Sequence, residues 1–364
     1  MASAVVVEEL PLTKKSQFKV PRLQEAGLLV VIFILGLTFT IAGFTSGKQN
    51  AFLNLPNLLN SVATPASVYA IMAVGVTCVI ITGGIDISVG SIFALSQLGA
   101  AYFLQELPND APAWKVLGVA ILVGPGIGLL CGLLNGALVT GLRMHPFIVT
   151  LGTLSIFRGI ANVTTRIKTL PSQGRTLPSA YTTELFQRLF FKEPNGAGGV
   201  RVMPLVMTVI VVLIGWFYLR LTIGGRELYA VGGNEEAARF SGLRVKLIKL
   251  RVYAISGLAA GVAGFVSLGR FGTVSTNTGT GYELTVIAAA VVGGASLTGG
   301  RGTALGALLG ALIIRMIESG IYTPLHWPQE YSQIIIGSAI IVAVAVDRLS
   351  EFFRDRRLKR IGRG

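Results

Sequence analysis

Residues 57–90 read NLLNSVATPASVYAIMAVGVTCVIITGGIDISVG. From Asn57 to Ile81 nothing is charged, and at about 20 apolar residues per crossing the run is long enough to span a bilayer. It stops at Gly83-Gly84, and a single acid, Asp86, precedes the next apolar run at Ile87. Such a segment reads as a membrane helix that breaks and restarts, which is tolerated only where protein or a water-filled cavity surrounds the freed backbone.

The rest of the chain agrees. Of 364 residues 52% are hydrophobic and only 13% charged, with a mean hydropathy of +0.69, whereas soluble domains carry about 25% charged residues. Further spans are expected near 27–44, 87–105, 116–142, 147–165, 203–223, 252–269, 284–297, 303–320 and 331–346, about ten in all. The expected fold is an all-α polytopic membrane protein with a cytoplasmic tail at 1–25, a transmembrane domain at 26–346 and a basic cytoplasmic tail at 347–364. Residues 1–25 are polar and mix both charge signs, so they read as a tail that stays attached rather than as a cleaved leader.

Cys78 and Cys131 each sit inside an apolar run and suit no disulfide framework, and His145 and His326 are far apart, so no metal site and no catalytic residue is expected. The net charge of +14 lies in short segments between spans, a pattern that suits lipid and topology and not nucleic acid. With the N-terminus inside, the cytoplasmic segments collect 20 of the 31 Lys and Arg residues and the outer ones ten, as the positive-inside rule favours. Trp114 and Trp327 then fall at outer helix ends and Trp216 toward an inner one, an interfacial belt.

Gly124, Gly128, Gly132 and Gly136 share one helix face, and Gly302, Gly306 and Gly310 share another. Such rows allow close helix contact, either inside one subunit or between subunits. The first break has an echo at Val292-Gly293-Gly294-Ala295-Ser296-Leu297-Thr298-Gly299-Gly300, so two weakly related halves each contain a glycine-broken helix. Paired breaks of this kind point to a transport pathway. Gly83, Gly84, Asp86, Ser88, Gly293, Gly294 and Ser296 are its candidates, with Thr64, Asn135 and Thr153 as further polar partners for a neutral polyol.

Within the cytoplasmic loop at 224–250, Asn234 is a good N-cap, Glu235 and Glu236 occupy the first turn where the helix dipole favours acids, Ala237 and Ala238 propagate, Arg239 follows, and Gly242 ends the turn. A short, well-capped helix there suits docking in a partner's groove. The plain alternative is a connector between spans.

Glu236-Ala237-Ala238 followed by Gly242 resembles the EAA-x-x-x-G loop of ABC-importer membrane subunits. Thr82 to Ser91 (TGGIDISVGS), Pro146 to Leu154 (PFIVTLGTL), Ala230 to Arg239 (AVGGNEEAAR) and Gly281-Tyr282-Glu283-Leu284 with Gly299-Gly300-Arg301-Gly302 are similar to the ribose-type sugar permeases over roughly 57–346. The isoleucine and Leu-Pro that often follow the glycine in other importer families are absent. The resemblance implies a permease of the bacterial cytoplasmic membrane that pairs with a second copy or a paralogue. It also implies two cytoplasmic ATPases that bind the ATP and an extracytoplasmic sugar-binding protein. No cofactor is implied in the chain itself, which has no G-x-x-x-x-G-K-[ST] phosphate loop. A stand-alone ion-coupled transporter or channel would place several ionisable residues in its spans, whereas only Asp86, Glu283, Arg315 and Glu318 lie deep here. A polytopic enzyme would need a reactive constellation, and no Ser/His/Asp, Cys/His or HExxH grouping occurs.

In a background lacking Cys78 and Cys131, an impermeant thiol reagent applied to intact cells should label Ser172→Cys and spare Ser241→Cys. The reverse pattern would invert the topology.

Overall fold

A helix that is apolar all round has no face to give to water, so it belongs at the centre of the bundle. The computed structural model, which describes residues 22–45, 52–164, 169–185, 190–191, 200–323, 325, 327–328, 330–342 and 344–345, puts Thr64–Ile81 there. In chain order the helices are α1 (Arg22–Thr45), this central α2 (Thr64–Ile81, entered through a π-helical turn at Asn57–Ala63), α3 (Val89–Leu104), α4 (Ala113–Gly141), α5 (Pro146–Thr164) and α6 (Val202–Leu221). The chain continues through α7 (Ile223–Gly233), α8 (Glu235–Phe240), α9 (Val245–Phe271), α10 (Tyr282–Val292), α11 (Ala304–Tyr322) and α12 (Glu330–Val342). Among the described residues seven segments are long and apolar enough to cross a membrane, and the third, eighth and tenth expected spans are the shorter apolar helices α3, α10 and α12. Residues 1–21 and 346–364, which include the basic C-terminal tail, lie outside the described residues.

Every residue of α2 except Pro65 is buried, against α6, α9, α10 and α11. By contrast α1 packs chiefly on α11, and its Phe33 is 72% exposed, as suits a helix whose remaining neighbour is lipid. Among the described residues strand structure is limited to two short antiparallel pairings, Thr169–Leu170 with Val274–Ser275 and Phe190–Phe191 with Val200–Arg201.

Both glycine rows are used inside the chain. A Cβ on Gly128 would lie 2.8 Å from Gly261 Cα, one on Gly132 would lie 3.1 Å from Ala254 Cα, and one on Gly136 would lie 2.9 Å from Leu250 Cα. These glycines therefore let the α4 and α9 backbones approach, and this is the most extensive helix pairing in the molecule. The second row brings α11 onto α10, where a Cβ on Gly310 would sit 2.8 Å from Gly293 N.

Three expected boundaries move. The eighth span, expected at 284–297, is an eleven-residue helix, α10. At 1.5 Å per residue it rises about 16 Å, half of a hydrocarbon core of about 30 Å. It begins beside the start of α3, since a Cβ on Gly90 would lie 3.2 Å from Glu283 N. The seventh begins at Val245 rather than 252, so Lys246, Lys249 and Arg251 belong to its first turns. The third begins at Val89 rather than 87.

Gly132→Leu should push α4 off α9 and lower the thermal stability of the detergent-purified protein by about 1–3 kcal/mol, the usual cost of overpacking. Gly118→Ala on the same helix meets nothing within 4 Å and should hold or slightly raise it.

Candidate functional site

A chain that interrupts a helix inside a membrane must find partners for the backbone groups it frees. The two breaks solve this identically. After α2, Gly83 takes φ +74°, Gly84 N–H donates to Val79 O at 3.1 Å and Gly83 N–H to Ile80 O at 2.9 Å. After α10, Gly294 takes φ +93°, Ala295 N–H donates to Ala290 O at 2.9 Å and Gly294 N–H to Val291 O at 2.8 Å. Each is a Schellman cap with glycine in the left-handed position. Gly83 therefore corresponds to Gly294, one residue out of step with the alignment of the two strings, while Gly293 remains in the helical region at φ −67°.

The breaks also meet. Gly300 N–H donates to Ile81 O at 2.8 Å, and a Cβ on Gly299 would lie 2.9 Å from Gly232 O and 3.1 Å from Gly83 N. Gly232 belongs to α7, and a side chain there would collide with Ile81 O and approach Gly300 N within 2.5 Å. Nearby Tyr229, also on α7, donates its hydroxyl to Gly302 O at 2.8 Å. Burial pushes that phenol up to about 12, so it remains a proton donor at any physiological pH. One helix, α7, thus grips both breaks. The sequence reading places 224–233 in the loop ahead of the helix capped by Asn234, whereas these residues are helical. The structure makes them helical since Gly225 and Gly232 are where α7 touches the α6 backbone and this junction.

From α7 the chain turns directly into α8. Asn234 Oδ1 accepts from Ala237 N–H at 2.9 Å, and Gly242 at φ +84° closes a third Schellman cap through Leu243 N–H to Ala238 O at 3.1 Å. Glu235 is drawn toward α9 by Lys249 at 2.7 Å and pairs with Arg239 one turn along its own helix at 3.3 Å. Ala238 is buried, which leaves Glu236, Ala237, Arg239 and Phe240 facing outward. Phe240 is 90% exposed. It escaped the sequence reading, although an aromatic four residues after Glu236 shares that residue's face.

Asp86 is fully buried. Its Oδ1 accepts from Ser88 N–H at 3.0 Å and Ser88 Oγ at 2.7 Å, and its Oδ2 accepts from Ser256 Oγ at 2.8 Å. Asn135 Nδ2 donates to Ser88 Oγ at 2.7 Å, leaving Asn135 Oδ1 without a partner among the described residues. Ser256 lies eleven residues into α9, about 16 Å from its start, so the carboxylate sits deep, enclosed by hydroxyls instead of facing open water. Beside it Tyr253 donates to Ile85 O at 3.3 Å. Ser256 and Tyr253 share a face of α9, a polar pair in an apolar run that the sequence reading passed over.

The other candidates scatter. Thr153 donates to Thr150 O of its own helix at 3.3 Å and Thr64 to Leu59 O at 2.6 Å, both buried. Ser296 is 2.8 Å from Thr298 Oγ1 in the second break.

A helical membrane bundle with two mutually bonded breaks and a capped helix on the adjoining loop has the architecture of a membrane permease. The chain belongs to the family described as branched-chain amino acid transport system / permease component, which matches residues 58–344. It is 36% identical to the ribose import permease protein RbsC of Bacillus subtilis (strain 168) over 326 residues, 90% of this chain and 93% of that one. It is 35% identical to RbsC of Escherichia coli (strain K12) over 327 residues, 89% and 94% of the two chains. The galactose/methyl galactoside import permease protein MglC of the same strain is 35% identical over 334 residues, 90% and 95%. No solved structure matches the chain. The protein is accordingly a multi-pass inner-membrane transport permease, and its family works with ATPase and binding-protein partners.

Asp86→Ala would orphan three buried donors and should lower thermal stability by about 1–3 kcal/mol. Asp86→Asn keeps an acceptor oxygen for hydroxyls that can rotate, so most of that loss should be spared.

Proposed function

We propose that this chain is the membrane-spanning permease subunit of an ABC importer for a monosaccharide. It moves the sugar inward by alternating access, while two cytoplasmic ATPase domains bind and hydrolyse the ATP. An extracytoplasmic binding protein delivers the sugar, and the chain pairs with a second permease copy or a paralogue. The sugar class follows from the relatives, which are named as import permeases for ribose and galactose. Selectivity among sugars rests largely with the binding protein.

One observation carries the mechanism: α7 holds both breaks through Gly232 and Tyr229, and α8 continues from it. The outward face of α8, with Glu236 and Phe240, is the docking surface for an ATPase groove. Displacement of α8 on nucleotide binding reaches Ile81, Gly83 and Gly300 through Gly232, with no flexible segment between. In this scheme the breaks flank the pathway, and the Asp86 cluster is the rigid seat against which the first break moves. Asp86 caps the restart of the chain before α3 and positions Ser88 and Asn135.

Purified chain reconstituted with its ATPase and binding protein should take up radiolabelled monosaccharide only with ATP present. Glu236→Lys opposes the α8 dipole by up to about 1 kcal/mol, and Phe240→Ala removes its largest exposed side chain. Both variants should insert normally and co-purify with less ATPase. Gly232→Ala should co-purify fully and yet uncouple hydrolysis from uptake. Undiminished uptake and ATPase recovery in all three would return this loop to a plain connector.

A further inference from the structure

A 640 Å³ cavity lies between the end of α4, the start of α5 and the start of α9, with Glu235 and Arg239 of α8 at its edge. Its lining holds Arg143, Arg239, Arg244, Lys246 and Lys249 against one acid, Glu235. Lys249 and Arg239 are already engaged by that acid. Arg143, Arg244 and Lys246 make no ion pair among the described residues. Arg143 stands out further, because it holds φ +54°, a left-handed conformation that disfavours an arginine. Three uncompensated cations converge on one hollow at the level where these helices end.

Beside the hollow the surface turns apolar. Leu142 is 62% exposed, Met144 41% and Ile148 56%, at the junction of α4 and α5. Cations above and unpartnered apolar side chains alongside match the two ends of one molecule, a phospholipid with an anionic headgroup. Basic pockets between membrane helices on the cytoplasmic side hold such headgroups, at about 1 kcal/mol for each nearby Lys or Arg. We propose that this cavity binds the headgroup of an anionic phospholipid of the inner leaflet, with its acyl chains along Leu142 and Ile148. Because Glu235 and Lys249 tie α8 to the cavity wall, the lipid steadies the coupling helix against α9. The assignment requires only that this end faces the cytoplasm and is independent of the transported solute.

The test is native mass spectrometry of the full chain extracted from vesicles containing phosphatidylglycerol and phosphatidylcholine. The unmodified chain should retain phosphatidylglycerol in preference to phosphatidylcholine. The double variant Arg143→Gln, Lys246→Gln should bind it about thirtyfold more weakly, the equivalent of two charges. Arg220→Gln, Arg226→Gln, equal in charge loss at the same end, should retain it. Equal loss or equal retention in both double variants overturns the site. Displacement by inorganic phosphate without any acyl requirement would make it a free-anion site and overturn the lipid assignment. So would loss of ATPase recovery by Arg143→Gln, Lys246→Gln in detergent free of lipid, which would assign the cations to an acidic protein surface.

Discussion

The hydrogen bond from Gly300 N–H to Ile81 O joins the two halves of the molecule where each has given up its helix. Freed backbone groups in a membrane cost several kcal/mol apiece if left alone, so two breaks that satisfy one another are far less costly than two that stand apart. Their partnership requires glycines, because Gly83 and Gly294 must turn left-handed and Gly232 must lie against bare backbone. With the breaks in contact, α2 is centred and α10 is confined to a half-length helix. α7 touches both breaks through Gly232 and Tyr229.

A second constraint concerns charge. Asp86 stands where an ionised carboxylate is expensive, about 2.5–3.5 kcal/mol on insertion scales, and the fold offsets that with Ser88, Ser256 and a backbone amide in place of a counter-ion. Arg315 and Glu318 follow another route, pairing one turn apart on α11, with Arg315 also donating to Ser61 O at 3.1 Å. Neither arrangement resembles a chain of exchangeable carriers for a coupling ion. This agrees with a family whose members take their energy from a separate ATPase.

On the loop that follows α7 polar chemistry is again local. Asn234 and Gly242 cap α8, and Lys249 of α9 pairs with its Glu235, which together hold a six-residue helix that is too short to be stable alone.

Much of this was legible along the chain because it depends on local chemistry. The apolar segments follow from bilayer thickness, and the α8 boundaries from Asn234 and Gly242. What lay beyond the sequence depends on approach between distant residues. Helical α7 runs against the propensity of its four glycines and exists because Gly225 and Gly232 fit against other backbones. The glycine rows allow contact within or between subunits, and it is the approach of α9 to α4 that shows them used within the chain. Ser256 and Phe240 are ordinary residues in their own segments. Tertiary structure gives the first a buried carboxylate to bind and leaves the second bare, and no periodicity in one strand of sequence encodes either neighbour.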